Sequence, residues 1–110
     1  MNGSKKVKKI LSLLLILNFQ LFANELTIID VRTPEEFMSG HIEGSKNIEW
    51  QEISSVENNI DKDHKIFLYC RSGNRSQKAT NILLSIGYKD VTNLGSLKEA
   101  SKFLNKKIIK

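Results

Sequence analysis

The stretch Ile66-Phe67-Leu68-Tyr69-Cys70-Arg71-Ser72-Gly73-Asn74-Arg75-Ser76 changes character three times. Residues 66–69 are an unbroken apolar run, the pattern of a central strand buried on both faces. The run ends at Cys70, the only cysteine of the chain. A loop with Gly73 and two arginines follows. From about Ser76 to Ile86, Ala79, Ile82, Leu83 and Ile86 recur at i, i+3, i+4 and i+7, so a helix with one buried face is expected, closed by Gly87. Strand, polar loop and helix in this order put Cys70 at the C-terminal end of a strand, just before a helix N-terminus. Open α/β sheets bind their ligands at such ends.

The flanking sequence repeats the alternation. Leu26-Thr27-Ile28-Ile29 reads as a buried strand ending at Asp30-Val31. Thr33-Pro34-Glu35-Glu36 reads as a helix start, with Thr33 as N-cap, Pro34 in the first position and Glu36 closing a capping box. Phe37 and Met38 are expected to form the apolar side of that helix, and Gly40 to end it. His41 to Ser45 reads as a turn and Lys46-Asn47-Ile48 as a brief strand. Gln51 to Asn58 reads as a weak helix carrying Ile53 and Val56. Val91 to Leu94 is a further strand. Ser96 to about Lys106 is a last helix, with Leu97, Ala100 and Leu104 inward. The order predicts one α/β domain with a central, mainly parallel sheet flanked by helices in three layers.

The first residues have a different composition. Lys5, Lys6, Lys8 and Lys9 precede an apolar run from Ile10 to Leu17, extended by Phe19, Leu21 and Phe22 and closed by Ala23. Basic, apolar, small is the order of a secretory signal peptide. Residues 1–23 are therefore expected to be a signal peptide and residues 24–110 the folded domain. A periplasmic or secreted product follows from cleavage; an uncleaved membrane anchor is the rival. The apolar run is short of the ~20 residues of a membrane span. The full chain carries a net charge of +5. Four of the 17 basic residues precede residue 24 and none of the 12 acidic ones does, leaving 13 against 12. A net of +1 is not a nucleic-acid footprint. Lys106, Lys107 and Lys110 read as a solvated helix end.

A single cysteine forms no internal disulfide, so Cys70 is buried and inert, paired to another molecule, or a working thiol. With His41 and His64 it shows no metal-ligand spacing. Its surroundings favour the working thiol. The dipole and free N–H groups of the following helix point toward it. A tight loop with Gly73 turns successive N–H groups inward. Arg71 and Arg75 add positive charge, and Gly73 and Asn74 suit the positive φ angles of such a loop. Together these lower a thiol pKa and prepare a site for an anion.

Asp30-Val31-Arg32-Thr33-Pro34-Glu35-Glu36-Phe37 followed by Gly40-His41-Ile42-Glu43-Gly44-Ser45-Lys46-Asn47-Ile48 resembles the N-terminal signature of the rhodanese domain. Tyr69 to Ser76 resembles its active-site loop. Ala79 and Leu83 to Tyr88 match the helix that usually follows, and the resemblance covers residues 25–105. It implies a rhodanese-like fold and a thiosulfate sulfurtransferase like the small single-domain periplasmic members. By the same resemblance, Cys70 takes sulfur from a small anionic donor and passes it to cyanide, a thiol or a protein thiol; no cofactor, metal or nucleic acid is expected, and the protein is expected to be a monomer. Arg71, Ser72, Gly73, Asn74, Arg75 and Ser76 are implied to bind the donor and the persulfide, the two arginines chiefly the donor. Asp30 and Arg32 are implied to be structural supports, and His41 likewise. Glu36 reads as a capping residue rather than a general acid, and Trp50 as core or surface packing.

The chain departs from the family at Glu49, where Pro often stands, and at Gly95-Ser96-Leu97, where a second Gly is common. The second departure borders the pocket and bears on the acceptor. Two rival functions remain open to the sequence. Cysteine-dependent phosphatases have a similar loop with one residue more between Cys and Arg. Here four residues separate Cys70 from Arg75, a smaller cradle suited to sulfur. A non-catalytic or partner-specific sulfur-carrying module is the other, although inactive relatives usually lack the cysteine.

Overall fold

The computed structural model describes residues 25–110, so the expected signal peptide lies outside the described residues. Strands β1 (Leu26–Asp30), β3 (Lys46–Asn47), β4 (Lys65–Cys70) and β5 (Asp90–Ser96) form one sheet in the order β3-β1-β4-β5, every pair parallel. Helix α1 (Pro34–Ser39) and β2 (His41–Ile42) connect β1 to β3. A 3-10 helix (Trp50–Asn58) precedes β4. Helix α2 (Asn74–Ser85) joins β4 to β5, and α3 (Leu97–Leu104) and β6 (Ile108–Ile109) complete the chain.

Side chains of a strand alternate between faces, and β4 shows why its sequence is apolar from Ile66 to Cys70. Ile66, Leu68 and Cys70 enter one core with Ile29, Val31, Ile53, Val56, Ala79 and Leu83, under the 3-10 helix and α2. Tyr69 enters a second core with Ile28, Ile42 and Ala100, against which Phe67, Leu97 and Leu104 of β4 and α3 pack. The strand is covered on both sides, and the domain has the three expected layers.

Several elements differ from the sequence reading. The segment 51–58 is a 3-10 helix, and its buried residues Ile53 and Val56 are three apart, the repeat of that helix. His41-Ile42 is a strand rather than part of a turn: it pairs antiparallel with Ile109 and Ile108. That return is possible because α3 stops at Leu104, and Asn105 takes a left-handed conformation at φ 52°. Helix α1 buries no residue; Met38 is 74 % exposed and Phe37 stacks on His41 with ring centroids 3.7 Å apart. Six residues are too few to build an apolar face. The helix is held by its ends, as the full Thr33–Glu36 capping box and Pro34 predict.

A buried ion pair fixes the C-terminal end of β1. Asp30 has no exposed surface, and Arg32 bonds to both of its carboxylate oxygens, Nε at 2.9 and 3.0 Å and Nη2 at 2.6 Å. The Arg32 backbone N–H adds a bond of 2.9 Å, and Nη2 also donates to the carbonyl of Gly40 at 2.6 Å. Asn47 donates from its amide to the carbonyls of Asp30 and Arg32. Burial pulls the Arg32 pKa down, but the bonds and charge of Asp30 outweigh it, and the net shift is upward. Asp30 and Arg32 thus tie β1, the end of α1 and β3 together.

Glu36 does more than cap. It accepts two bonds from Arg75, at 2.7 and 3.0 Å, and so ties α1 to α2. The Arg75 guanidinium, aided by Thr33, holds the Glu36 carboxyl down at about 2.

Two outcomes follow for stability. Asp30→Asn leaves the buried Arg32 cation without its counter-charge and is expected to cost about 3–5 kcal/mol, read by urea unfolding at pH 7. Glu36 contributes stability above its ordinary pKa of 4.5, and that contribution is lost as pH falls toward about 2. Glu36→Gln should therefore lower stability by about 1 kcal/mol at pH 7 and leave little difference from the parent near pH 2.

Candidate active site

Strand β4 ends at Cys70, and α2 begins four residues later with Gly73 as its N-cap. The helix starts two residues earlier than its apolar period suggests, so Asn74, Arg75 and Ser76 are its first turn rather than loop. Gly73 sits at φ 95°, and a Cβ there would lie 3.3 Å from the Cα of Gly95. Both facts demand glycine. Asn74 has no positive φ and is exposed at the first helical position.

The turn of Gly73 aims donors at the sulfur. Its backbone N–H donates to Cys70 Sγ at 3.0 Å, and the Ser76 hydroxyl lies 3.3 Å from the same atom. Cys70 has no exposed surface, and burial pushes its thiol pKa up. The Ser76 hydroxyl and the N–H groups of Ser76, Ser72 and Gly73 push it down and prevail. The net result is a thiol below its ordinary value, held by the helix N-terminus and loop amides as the sequence implies.

A residue the sequence reading passed over holds this arrangement in place. Asn93 on β5 accepts from the backbone N–H of Gly95 at 2.9 Å and from the Ser76 hydroxyl at 2.7 Å. Its amide nitrogen donates to the carbonyl of Gly73 at 3.0 Å and to Gln77 Oε1 at 3.1 Å. The register of β5 slips just past it: Leu68 faces Asn93, but Cys70 faces Ser96. This bulge, with Gly95 at φ 91°, bends β5 beside the Cys70 loop. The available signal was an Asn, a poor strand former, between Thr92 and Leu94 of the strand. Gly95-Ser96, where the chain departs from the pattern it resembles, has a local reason. Ser96 caps α3 and accepts from the Glu99 N–H, while a Cβ on Gly95 would meet the Glu99 carboxylate at 2.7 Å.

The remaining predicted residues spread around this centre. Arg71 and Ser72 are exposed, and among the described residues no hydrogen bond or ion pair engages the Arg71 side chain. Arg75 is half-buried against Glu36, which raises its pKa; the charge of Cys70 raises it further. Arg75 is therefore near the sulfur but shares its charge with a carboxylate. Asp30 and Arg32 engage each other, Gly40 and Asn47 as described above. His41 bonds through Nδ1 to the Phe37 carbonyl at 2.9 Å. Trp50 packs against the first core, and Lys78 Nζ lies 4.9 Å from its ring centroid. Among the described residues no group of three or more His, Cys, Asp or Glu side chains is placed to hold a metal ion, and no helix is long and apolar enough to cross a membrane.

Comparison with known proteins agrees with this geometry. The model of the rhodanese-like domain matches residues 17–102. The thiosulfate sulfurtransferase PspE of Escherichia coli (strain K12) is 36 % identical over 94 residues, 84 % of this chain and 89 % of that one. The thiosulfate sulfurtransferase GlpE of Pseudomonas aeruginosa (strain LESB58) is 33 % identical over 75 residues, 68 % of each chain. A solved structure described as a rhodanese with anions from E. coli superposes with a TM-score of 0.63 at 36 % identity, covering 67 % of this chain and 89 % of that one. With its parallel sheet and its cysteine loop at the end of β4, this chain belongs to the rhodanese-like domain family.

Proposed function

We propose that the protein is a thiosulfate sulfurtransferase that works through a persulfide on Cys70. The observation that carries this reading is the pair of donors on the sulfur, the Gly73 N–H at 3.0 Å and the Ser76 hydroxyl at 3.3 Å. A structural cysteine needs apolar neighbours, whereas a thiolate needs donors. The Cys70 thiolate attacks the outer sulfur of thiosulfate. The Sγ–S bond forms, the bond to the sulfonate sulfur breaks, and sulfite leaves with the electron pair. The charge passes to the outer persulfide sulfur, where the N–H groups of the loop support it. An acceptor nucleophile, cyanide or a thiol of a small molecule or protein, then takes that sulfur and restores the thiolate. This is two-step covalent catalysis with ping-pong kinetics.

Arg71 and Arg75 have unequal parts in this reading. Arg71, exposed beside the loop, draws the dianionic donor in from solvent. Arg75 is tied to Glu36 and serves the loop first and the donor second. Ser72 and Asn74 contribute backbone rather than side chain. The enzyme acts as a monomer, exported with residues 1–23 as its signal peptide. Cleavage after Ala23 leaves β1, which begins at Leu26, intact.

The purified protein should convert thiosulfate and cyanide to thiocyanate and leave aryl phosphates untouched. Cys70→Ser should reduce thiocyanate formation to the uncatalysed background. Phosphatase activity lost with the same substitution would refute the reading, and a folded protein with neither activity would favour a binding module. For Arg71→Ala, steady-state kinetics should give a KM for thiosulfate raised about threefold to fivefold, the order of one exposed ion contact, with kcat unchanged. A fall in kcat at constant KM would assign Arg71 to the chemical step instead.

A further inference from the structure

The Ser76 hydroxyl has one hydrogen and two acceptors. Asn93 Oδ1 lies 2.7 Å away and Cys70 Sγ 3.3 Å away. Turning the Asn93 amide over does not relieve the conflict. Its oxygen faces the Gly95 N–H, which only donates, and its nitrogen faces the Gly73 carbonyl, which only accepts. The hydroxyl oxygen is also held, since Ser76 is buried and its own carbonyl accepts from Thr80 at 2.7 Å. What remains free is the direction of the hydrogen.

We propose that Asn93 is a positioning residue that competes with the Cys70 sulfur for the single Ser76 hydrogen, so that the hydroxyl turns between them as charge arrives at and leaves Sγ. The proposal rests on the reading of Cys70 as the sulfur-carrying nucleophile. With a protonated thiol, the hydroxyl donates to Asn93 over the shorter distance. With a thiolate, a full charge outbids the amide oxygen and the hydroxyl turns to Sγ. In the first half-reaction the Sγ–S bond forms and sulfite departs. Charge then leaves Sγ for the outer sulfur, and the hydroxyl returns to Asn93. No proton is transferred; one O–H bond rotates. When the acceptor removes the outer sulfur, Sγ regains its charge and the hydroxyl.

The competition has a kinetic consequence. A thiolate that must win its donor from Asn93 is less stabilised than one that holds the donor outright. It is correspondingly more nucleophilic, because thiolate reactivity rises with thiol pKa with a Brønsted slope of about 0.4–0.5. Asn93 thus keeps the thiolate from being stabilised into inertness by its own cradle.

The test is the pH dependence of Cys70 alkylation by iodoacetamide in the full chain, which has one cysteine. Alkylation needs no sulfur donor, so failure here and failure of sulfur transfer are separate results. Asn93→Ala should lower the thiol pKa by about half a unit to one unit and cut the high-pH plateau rate by about twofold to threefold. Ser76→Ala should raise the pKa, and adding Asn93→Ala to it should change little. A structural role predicts the opposite: a loosened loop withdraws the Gly73 N–H and raises the pKa in both backgrounds. An unchanged or raised pKa in Asn93→Ala, or an equal shift in both backgrounds, overturns the proposal. If thermal melting shows that Asn93→Ala does not fold, Asn93→Asp reads the same coupling with reversed sign. Its stronger acceptor should raise the pKa more with Ser76 present than with Ser76→Ala, and an equal rise overturns the proposal.

Discussion

The carboxylate of Asp30 is shut away from water, and the guanidinium two residues later meets it with three hydrogen bonds. Two buried charges are costly to desolvate and hold only when geometry is good and further bonds satisfy both groups. Here the further bonds reach the Gly40 carbonyl and the backbone at the end of β1. The capped helix α1 lies between Arg32 and Gly40, so its position is fixed by the pair at both ends. Glu36 on that helix then meets Arg75, next to Ser76 in the first turn of α2. A chain of polar contacts therefore runs from the end of β1 to the turn that faces the Cys70 sulfur.

The sulfur is the second costly burial, and it is met differently. Among the described residues no cation donates a hydrogen bond to it. Short neutral dipoles surround it, and they come from a turn only glycine allows at Gly73, pressed on a second glycine at Gly95. The thiol is pushed up by burial and pulled down further by donors. In the proposed reaction such donors would support charge on either sulfur of a persulfide without a tight ion pair that holds the departing anion. Arg75 lends field from nearby, moderated by Glu36.

The sequence was a good guide where one residue type has one physical meaning. Thr33, Pro34 and Glu36 announced the start of α1; Gly73 announced the loop; the apolar run 66–69 announced a strand covered on both faces. It was a poor guide where the cause lies far along the chain. Nothing near His41-Ile42 reveals a strand, because its partner Ile108-Ile109 lies beyond the last helix. Two apolar residues among lysines carry no period. The early start of α2 escaped because Asn74 and Arg75 are polar, and a helix period is read from apolar residues. Asn93 escaped for a related reason: its four contacts to Gly73, Ser76, Gln77 and Gly95 exist only once a bulge bends β5 beside β4. The motif assigns Arg75 to the donor and is silent on its ion-pair partner, because Glu36 stands 39 residues earlier.

If the donors around Cys70 serve sulfur transfer, intact-mass analysis after treatment with thiosulfate reads it out at the sulfur itself. The expected result is a gain of one sulfur atom on Cys70 with one sulfite released per chain, and loss of that sulfur when cyanide is added. A folded protein whose Cys70 stays unmodified in excess thiosulfate would contradict it.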